Sequence, residues 1–447
     1  MFKPMKSLLA VITVAVLAFA CNPDHGSDKV IVPTASTYSS EVVNDWGELI
    51  LVLSRDCEGF SPPVVARAMG YIGIGLYESV HYGMPGYKTL QGQLNQFSVG
   101  TLPKAHLGEK YNWVLVANSA MARIVTNVFP NASLENKAAI AQLEADWIAK
   151  YETEDIVIND KSISYGNAVG TAMANFADTD SYKDAYANNF PSDYVLPEGP
   201  GFWVPTFPKW QLPLQPYWKD ARVWLVENVD GTLPPPPPPY SEEVNSAFYK
   251  EAKEVYDVVN VLTEEQRTIA DFWADDPQRT ATPGGHSFSI ALEVLRNENA
   301  DLALAAITFA KLGMAVNDAF ISCWNAKYIY NLLRPITYVH EHIDGNWIIP
   351  LDTPPFPEYT SGHSVQSGAA AQVLTDIFGE NYAFTDNMHL SRGDIDGSPR
   401  SFNSFFDFAD EAAISRLYGG IHFRSAIIVG VDQGKAVGEN IGKIKFK

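Results

Sequence analysis

Lys327-Tyr-Ile-Tyr-Asn-Leu-Leu-Arg334-Pro335 closes a long apolar run over residues 299–333. Its apolar positions recur at helical spacing, so the run reads as a buried helix. Lys327 and Arg334 are seven residues apart, nearly two helical turns, and would project from one face. Both side chains are long enough for their charges to converge on one anion. Pro335 lacks an amide donor and discourages continuation of the helix. By itself the pair also suits two cations snorkelling from an amphipathic helix, so its meaning depends on the rest of the chain.

Working outward, helical patterns dominate. The spacing predicts helices over about 42–53, 64–82, 104–128, 134–151, 162–177, 242–258, 263–274 and 286–297, and beyond the central run over 361–378, 407–418 and 424–443. No series of alternating strands emerges. The fold class is therefore all-α, built as two packed helical bundles. Two long stretches interrupt the helices. Residues 178–240 hold Trp203-Val204-Pro205-Thr206 and an unbroken proline run, Pro234 to Pro239, read as a stiff polyproline connector. Residues 380–406 form a second loop long enough to carry function.

The chain has 447 residues, 46% hydrophobic and 19% charged, with a formal net charge of -20. That balance is globular. The acidic surface disfavours nucleic acid and anionic lipid as partners, and it makes any local cluster of cations informative. Residues 1–20 read as an export signal: Lys3 and Lys6, an apolar run from Ser7 to Phe19, then small residues before Cys21. A cysteine placed there is the bacterial lipoprotein arrangement. Cys21 would carry a lipid, residues 21–40 would be a flexible tether, and residues 41–447 the folded domain, its active site mainly in 270–447. The expected location is an exported, membrane-anchored lipoprotein, periplasmic or at the cell surface, touching the membrane only through Cys21. Cys57 and Cys323 either pair or remain buried thiols.

Two further pieces join Lys327 and Arg334. Pro357-Glu358-Tyr359-Thr360-Ser361-Gly362-His363 opens a helix, where free amides and the positive dipole end favour an anion. Ser361 adds a hydroxyl or simply an N-cap, Gly362 permits close approach, and His363 can exchange a proton near neutral pH. In Ser415-Arg416-Leu-Tyr-Gly419-Gly420-Ile-His422, Arg416 and His422 would lie on different faces of an unbroken helix. The glycine pair allows the break that unites them.

In order and spacing these pieces, Lys-x6-Arg-Pro, Ser-Gly-His and Ser-Arg-x5-His, resemble the vanadium-dependent haloperoxidases and the related acid and lipid phosphatases of the type-2 phosphatidic-acid-phosphatase superfamily. The resemblance is carried by residues 324–426, with softer likenesses at Phe272 to Asp276, Thr282 to His286, the Trp203 loop and the proline run. It implies a vanadate cofactor, with His422 as the vanadium ligand and Lys327, Arg334 and Arg416 neutralising the oxygens. Ser361 and the Gly362 amide would donate to them, and His363 would be the acid/base group. Asp276 would pair with Arg416. Trp324 and Phe356 resemble the halide pocket of the chloroperoxidases. Hydrogen peroxide, a halide and an organic acceptor would be the reactants.

The same residues suit a phosphatase acting on phosphate monoesters, with His422 attacking phosphorus and His363 protonating the leaving alcohol; phosphate would then replace vanadate. A third reading is a catalytically weak, anion-binding lipoprotein. Its clue is Ala426, which stands four residues after His422 where the family has an aspartate. Without that aspartate, His422 needs another acceptor, such as a backbone carbonyl. Thr360 also replaces the family's usual proline. His340-Glu341-His342 reads as a polar helix end, and Asp394-Ile395-Asp396-Gly397 as a turn without the ligand set of a calcium loop.

Overall fold

The computed structural model describes residues 32–106, 108–151 and 155–447. The expected export signal, Cys21 and the first part of the expected tether lie outside the described residues. Among those described are fourteen α-helices: α1 (Glu41–Asp56), α2 (Pro62–Val80), α3 (Trp113–Val128), α4 (Leu134–Lys150), α5 (Ile156–Ala177), α6 (Glu227–Asp230), α7 (Ala247–Asn260), α8 (Glu264–Phe272), α9 (Thr282–Asn297), α10 (Leu302–Tyr330), α11 (Pro335–His342), α12 (Gly362–Phe378), α13 (Phe405–Tyr418) and α14 (Arg424–Gly442). One antiparallel pair, β1 (Phe384–Asp386) and β2 (Arg400–Phe402), sits inside the long loop after α12. The molecule is all-α, with helical bundles as expected.

Local chemistry sets the helix ends. Asp301 caps α10 by accepting from the Leu304 amide at 2.8 Å, and Thr263 with Gln266 forms a capping box on α8. Asn112 accepts from the amides of Val114 and Leu115, so α3 begins at Trp113 rather than near residue 104. Proline opens α2, α9 and α11, where its missing amide costs nothing.

α10 is the central helix, buried along nearly its whole length. It crosses α2 closely because glycines face backbone at the contact: a Cβ on Gly73 would meet the Phe309 carbonyl oxygen at 2.1 Å, and one on Gly313 the Met69 oxygen at 2.5 Å. α12 and α14 meet the same way, with Gly434 against Val365 and Gly368 against Val431. A second apolar cluster, from Phe248 on α7, Tyr338 on α11, Leu417 on α13 and Phe423 before α14, supports the site from beneath.

Two expectations are corrected and one open alternative is decided. The tether does not reach residue 40. Ala35 is fully buried, and the Ser40 and Leu302 amides bond the Ala300 and Tyr38 carbonyls, so the chain is docked before α1 begins. Lys327 and Arg334 do not share a helix. α10 ends at Tyr330 because Asn331 turns left-handed (φ 47°), and Arg334 is extended at the N-cap of α11, which Pro335 opens. Cys57 and Cys323 are both buried free thiols. The proline run is anchored where it begins: Tyr330 and Tyr359 donate their hydroxyls to the carbonyls of Pro234 and Pro235.

Candidate functional site

Although the helix breaks between them, Lys327 and Arg334 do converge. The segment between them is clamped from outside: the Trp203 amide bonds the Asn331 carbonyl, and the Leu333 amide bonds that of Gly201. Lys327 Nζ donates to the carbonyls of Pro357 and Glu358 at 2.8 and 2.9 Å. Arg334 Nε donates to the Phe356 carbonyl at 3.0 Å. Both cations stand 5.0 Å from the centre of the Phe356 ring. Burial, aided by Arg334, pulls the Lys327 ammonium down to about 7, with Cys323 and Glu358 opposing. Burial also lowers Arg334, to about 10, so it stays charged at neutral pH.

Ser361 is the N-cap of α12, accepting from the Ser364 amide at 3.4 Å, and its own amide bonds the Ala426 carbonyl. Its hydroxyl hydrogen remains free to donate elsewhere. Gly362 begins the helix, and a Cβ there would meet Trp324 only at ordinary contact distance, 3.6 Å. On the third segment α13 stops at Tyr418. Gly420 takes the left-handed φ of 75° that turns the chain, as the glycine pair had implied, and α14 resumes at Arg424.

The turn sets up two guanidinium–imidazole contacts. Arg334 Nη1 lies 3.1 Å from His422 Nε2, and Arg416 Nη1 lies 3.0 Å from His363 Nε2. A guanidinium can only donate, so each Nε2 must accept and carries a lone pair. Both histidines are held well below the usual imidazole range: burial dominates, then Arg334, Lys327 and Arg416 for His422, and Arg416 for His363. They are neutral. Two buried guanidinium nitrogens, Arg334 Nη2 and Arg416 Nε, have no partner among the described residues.

Gly362, His363 and His422 line a cavity of about 1110 Å³, together with Trp324, Phe356 and Asp276. Trp324 and Phe356 pack with ring centres 4.9 Å apart and form its aromatic wall. Asp276 is placed differently from its expected role. The chain turns at Asp275 (φ 47°), leaving Asp276 exposed at the rim, while Arg416 Nη1 bonds the Trp273 carbonyl. Its carboxyl is raised by partial desolvation in the concave wall, with Arg416 and Lys209 pulling against that, but no ion pair with Arg416 forms.

Two features escaped sequence reasoning. The first is Glu358. His422 Nδ1 lies 2.8 Å from Glu358 Oε1, so the partner that Ala426 cannot supply is a carboxylate from the preceding motif and not a backbone carbonyl. The second is a buried cluster behind His363. His286 Nδ1 bonds Asp275 at 2.8 Å, and its Nε2 bonds Asp386, from the loop after α12, at 2.6 Å. His389 Nε2 lies 3.7 Å from Asp275. Asp275, His286 and His389 are close enough to suggest a metal site. Yet the contacts to His286 are hydrogen-bond lengths and use both ring nitrogens, so the cluster reads as an imidazolium between two carboxylates. Burial opposes that charge, but Asp275 and Asp386 outweigh it and raise His286 to about 10. Asp275, against its own burial, is held below the ordinary carboxylate range by His286. The likenesses at Thr282 to His286 and at Phe272 to Asp276 were visible in sequence; that Asp275 and the distant Asp386 clasp His286 was not.

Two histidines that line one cavity, each next to a buried guanidinium with an unpartnered nitrogen, form an arrangement that could hold an oxyanion. The comparisons agree. Residues 307–445 match the family model for the second helical-bundle domain of vanadium chloroperoxidase. A bacterial vanadium-dependent iodoperoxidase structure superposes with a TM-score of 0.83 at 36% identity, covering 92% of this chain and 98% of that one. A holo bacterial vanadium-dependent chloroperoxidase shares the fold (TM-score 0.63, 15% identity, 87% and 92% coverage). Vanadium chloroperoxidase of Curvularia inaequalis is 27% identical over 30% of this chain, a match spanning 30% of that enzyme's length. The chain belongs to the vanadium-dependent haloperoxidase family. Its own residues suit vanadate: the orphaned guanidinium nitrogens are donors in search of an anion, and His422 Nε2 offers a neutral lone pair.

Proposed function

We propose that the protein is a vanadate-dependent haloperoxidase that oxidises halide with hydrogen peroxide. The observation that carries this reading is the pairing of unsatisfied, buried Arg334 Nη2 and Arg416 Nε with a His422 whose Nε2 is unprotonated. His422 would coordinate vanadium through Nε2. Lys327, Arg334 and Arg416 would neutralise the vanadate oxygens, and the Ser361 hydroxyl and Gly362 amide would donate to them. Bound vanadate supplies Lewis-acid activation of hydrogen peroxide toward a halide.

The remaining chemistry falls to the chain. Neutral His363, lining the cavity, accepts a proton from incoming hydrogen peroxide and returns one as water departs. Trp324 and Phe356 give the halide a weakly hydrated wall. In balance, peroxide, halide and one proton give hypohalous acid and water, and hypohalous acid then halogenates an organic acceptor. Iodide, the halide most easily oxidised, is the first to test, since the relative that shares 36% identity is an iodoperoxidase.

The phosphatase reading would use the same His422 lone pair on phosphorus. It asks His363 to protonate the departing alcohol, a proton transfer that halide oxidation asks of the same ring, so the preference rests on the aromatic wall of Trp324 and Phe356 and on the likeness to the iodoperoxidase. A paired assay separates the readings: vanadate, peroxide and iodide or bromide with a halogen-acceptor dye, against a chromogenic phosphate monoester. Vanadate-dependent halogenation is expected; ester hydrolysis without it would reverse the assignment, and tight phosphate binding without either turnover would identify an anion-binding protein. We also propose export with a lipid on Cys21, which mass spectrometry of the mature N-terminus would test.

A further inference from the structure

Glu358 ties together every segment of the site. Its amide donates to the Leu332 carbonyl at 2.9 Å, within the stretch between Lys327 and Arg334. Its carbonyl accepts from Lys327 Nζ at 2.9 Å. Its carboxylate reaches the third segment, where Oε1 accepts from His422 Nδ1 and from the Phe423 amide, each at 2.8 Å. The residue is fully buried, which raises its carboxyl to about 8 against the pull of Arg334 and Lys327. With or without a proton on Oε2, Oε1 stays an acceptor, and Oε2 has no partner among the described residues, so the side chain's polar contacts all concern the chain around His422.

The proton positions follow from donor chemistry. Arg334 has only hydrogens to offer, so His422 Nε2 accepts, and the single proton of a neutral ring resides on Nδ1. Glu358 Oε1 is the acceptor that stabilises this tautomer. The Phe423 amide pins the same oxygen, so the carboxylate cannot swing away without breaking two bonds. Ala426 offers no substitute, because its side chain is a methyl group and its carbonyl accepts from Ser361.

We infer that Glu358 is the positioning residue of this site: its carboxylate holds His422 as the Nδ1–H tautomer, aims the bare Nε2 at the bound oxyanion, and so sets vanadate affinity. The inference rests on the anion-binding role proposed for His422, and concerns how that role is secured.

The test uses histidine-labelled full chain, as wild type, Glu358→Gln, Glu358→Asp and His422→Ala, the last to assign the His422 signals. Nitrogen NMR without vanadate reads the His422 tautomer, and titration with inorganic vanadate, followed by calorimetry, reads affinity. Wild type should carry its proton on Nδ1. In Glu358→Gln the amide can turn its NH2 toward the ring, so the tautomers should mix and vanadate should bind on the order of 10–100-fold more weakly. Glu358→Asp keeps the carboxylate on a shorter arm and should fall between the two. A folded Glu358→Gln with unchanged tautomer and affinity would overturn the inference. So would wild-type His422 protonated on Nε2, a result that needs no variant. If wild type binds no vanadate, the haloperoxidase reading fails, while the ring-nitrogen shifts still decide what Glu358 does.

Discussion

His422 and His286 are both buried, both bonded to a carboxylate at 2.8 Å, and opposite in character. His286 has a carboxylate on each nitrogen, and its basicity rises to about 10. His422 has a carboxylate on one nitrogen and a guanidinium on the other, and it is held neutral. The first is a strut charged at neutral pH, with both ring nitrogens bonded. The second keeps a lone pair next to a cavity. The partner on the far nitrogen decides which of the two a buried histidine becomes.

The largest effect should come from removing the lone pair. His422→Ala should lose both vanadate binding and halide oxidation, whereas His363→Ala should still bind vanadate and lose about 10²–10⁴-fold in turnover. Vanadium NMR and an iodide-oxidation assay on the two variants would check this; retained turnover in His422→Ala would reject its role. On the other side of the comparison, His286→Gln strands Asp275 and Asp386 without their cation. It should cost about 3–5 kcal/mol of stability in urea melts at neutral pH.

The strut also has a pH signature. Because the folded-state pKa of His286 is raised, its contribution is complete below the unfolded imidazole value of about 6.5 and drains away as pH rises toward about 10. Wild type should lose stability across that alkaline window, and His286→Gln should lose this part of the slope. A smaller effect belongs to Lys327. Its charge fades above about 7, so vanadate affinity should weaken by at most about tenfold per pH unit there, and Lys327→Gln should bind more weakly with a flatter profile. Smallest of all, Trp324→Phe removes one hydrogen bond to the Leu214 carbonyl and should cost about 1 kcal/mol in a thermal melt.

Much of this was legible in the sequence. Helical periodicity gave the all-α class, because the spacing of buried apolar residues is a local property. The residues proposed to hold the oxyanion were legible as three short motifs, each with residue types that suit an anion, and the fold brings them together. What escaped notice has two physical causes: contacts between distant segments, and single backbone dihedrals. Asn331 ends α10 before Arg334 through one left-handed residue that the apolar pattern does not reveal. Glu358 stood in plain view in a quoted motif, but its partner His422 lies in another motif, so the carboxylate had no assigned purpose. Asp276 and Asp275 are adjacent, and only the fold tells which is buried.

The central claim is that separate basic segments surround one oxyanion beside His422. A crystal structure of the full chain soaked with orthovanadate tests it most directly. The account predicts vanadium at bonding distance from His422 Nε2, with Arg334 Nη2 and Arg416 Nε donating to its oxygens. Vanadate bound elsewhere, or those guanidinium nitrogens still without a partner beside it, would contradict the account.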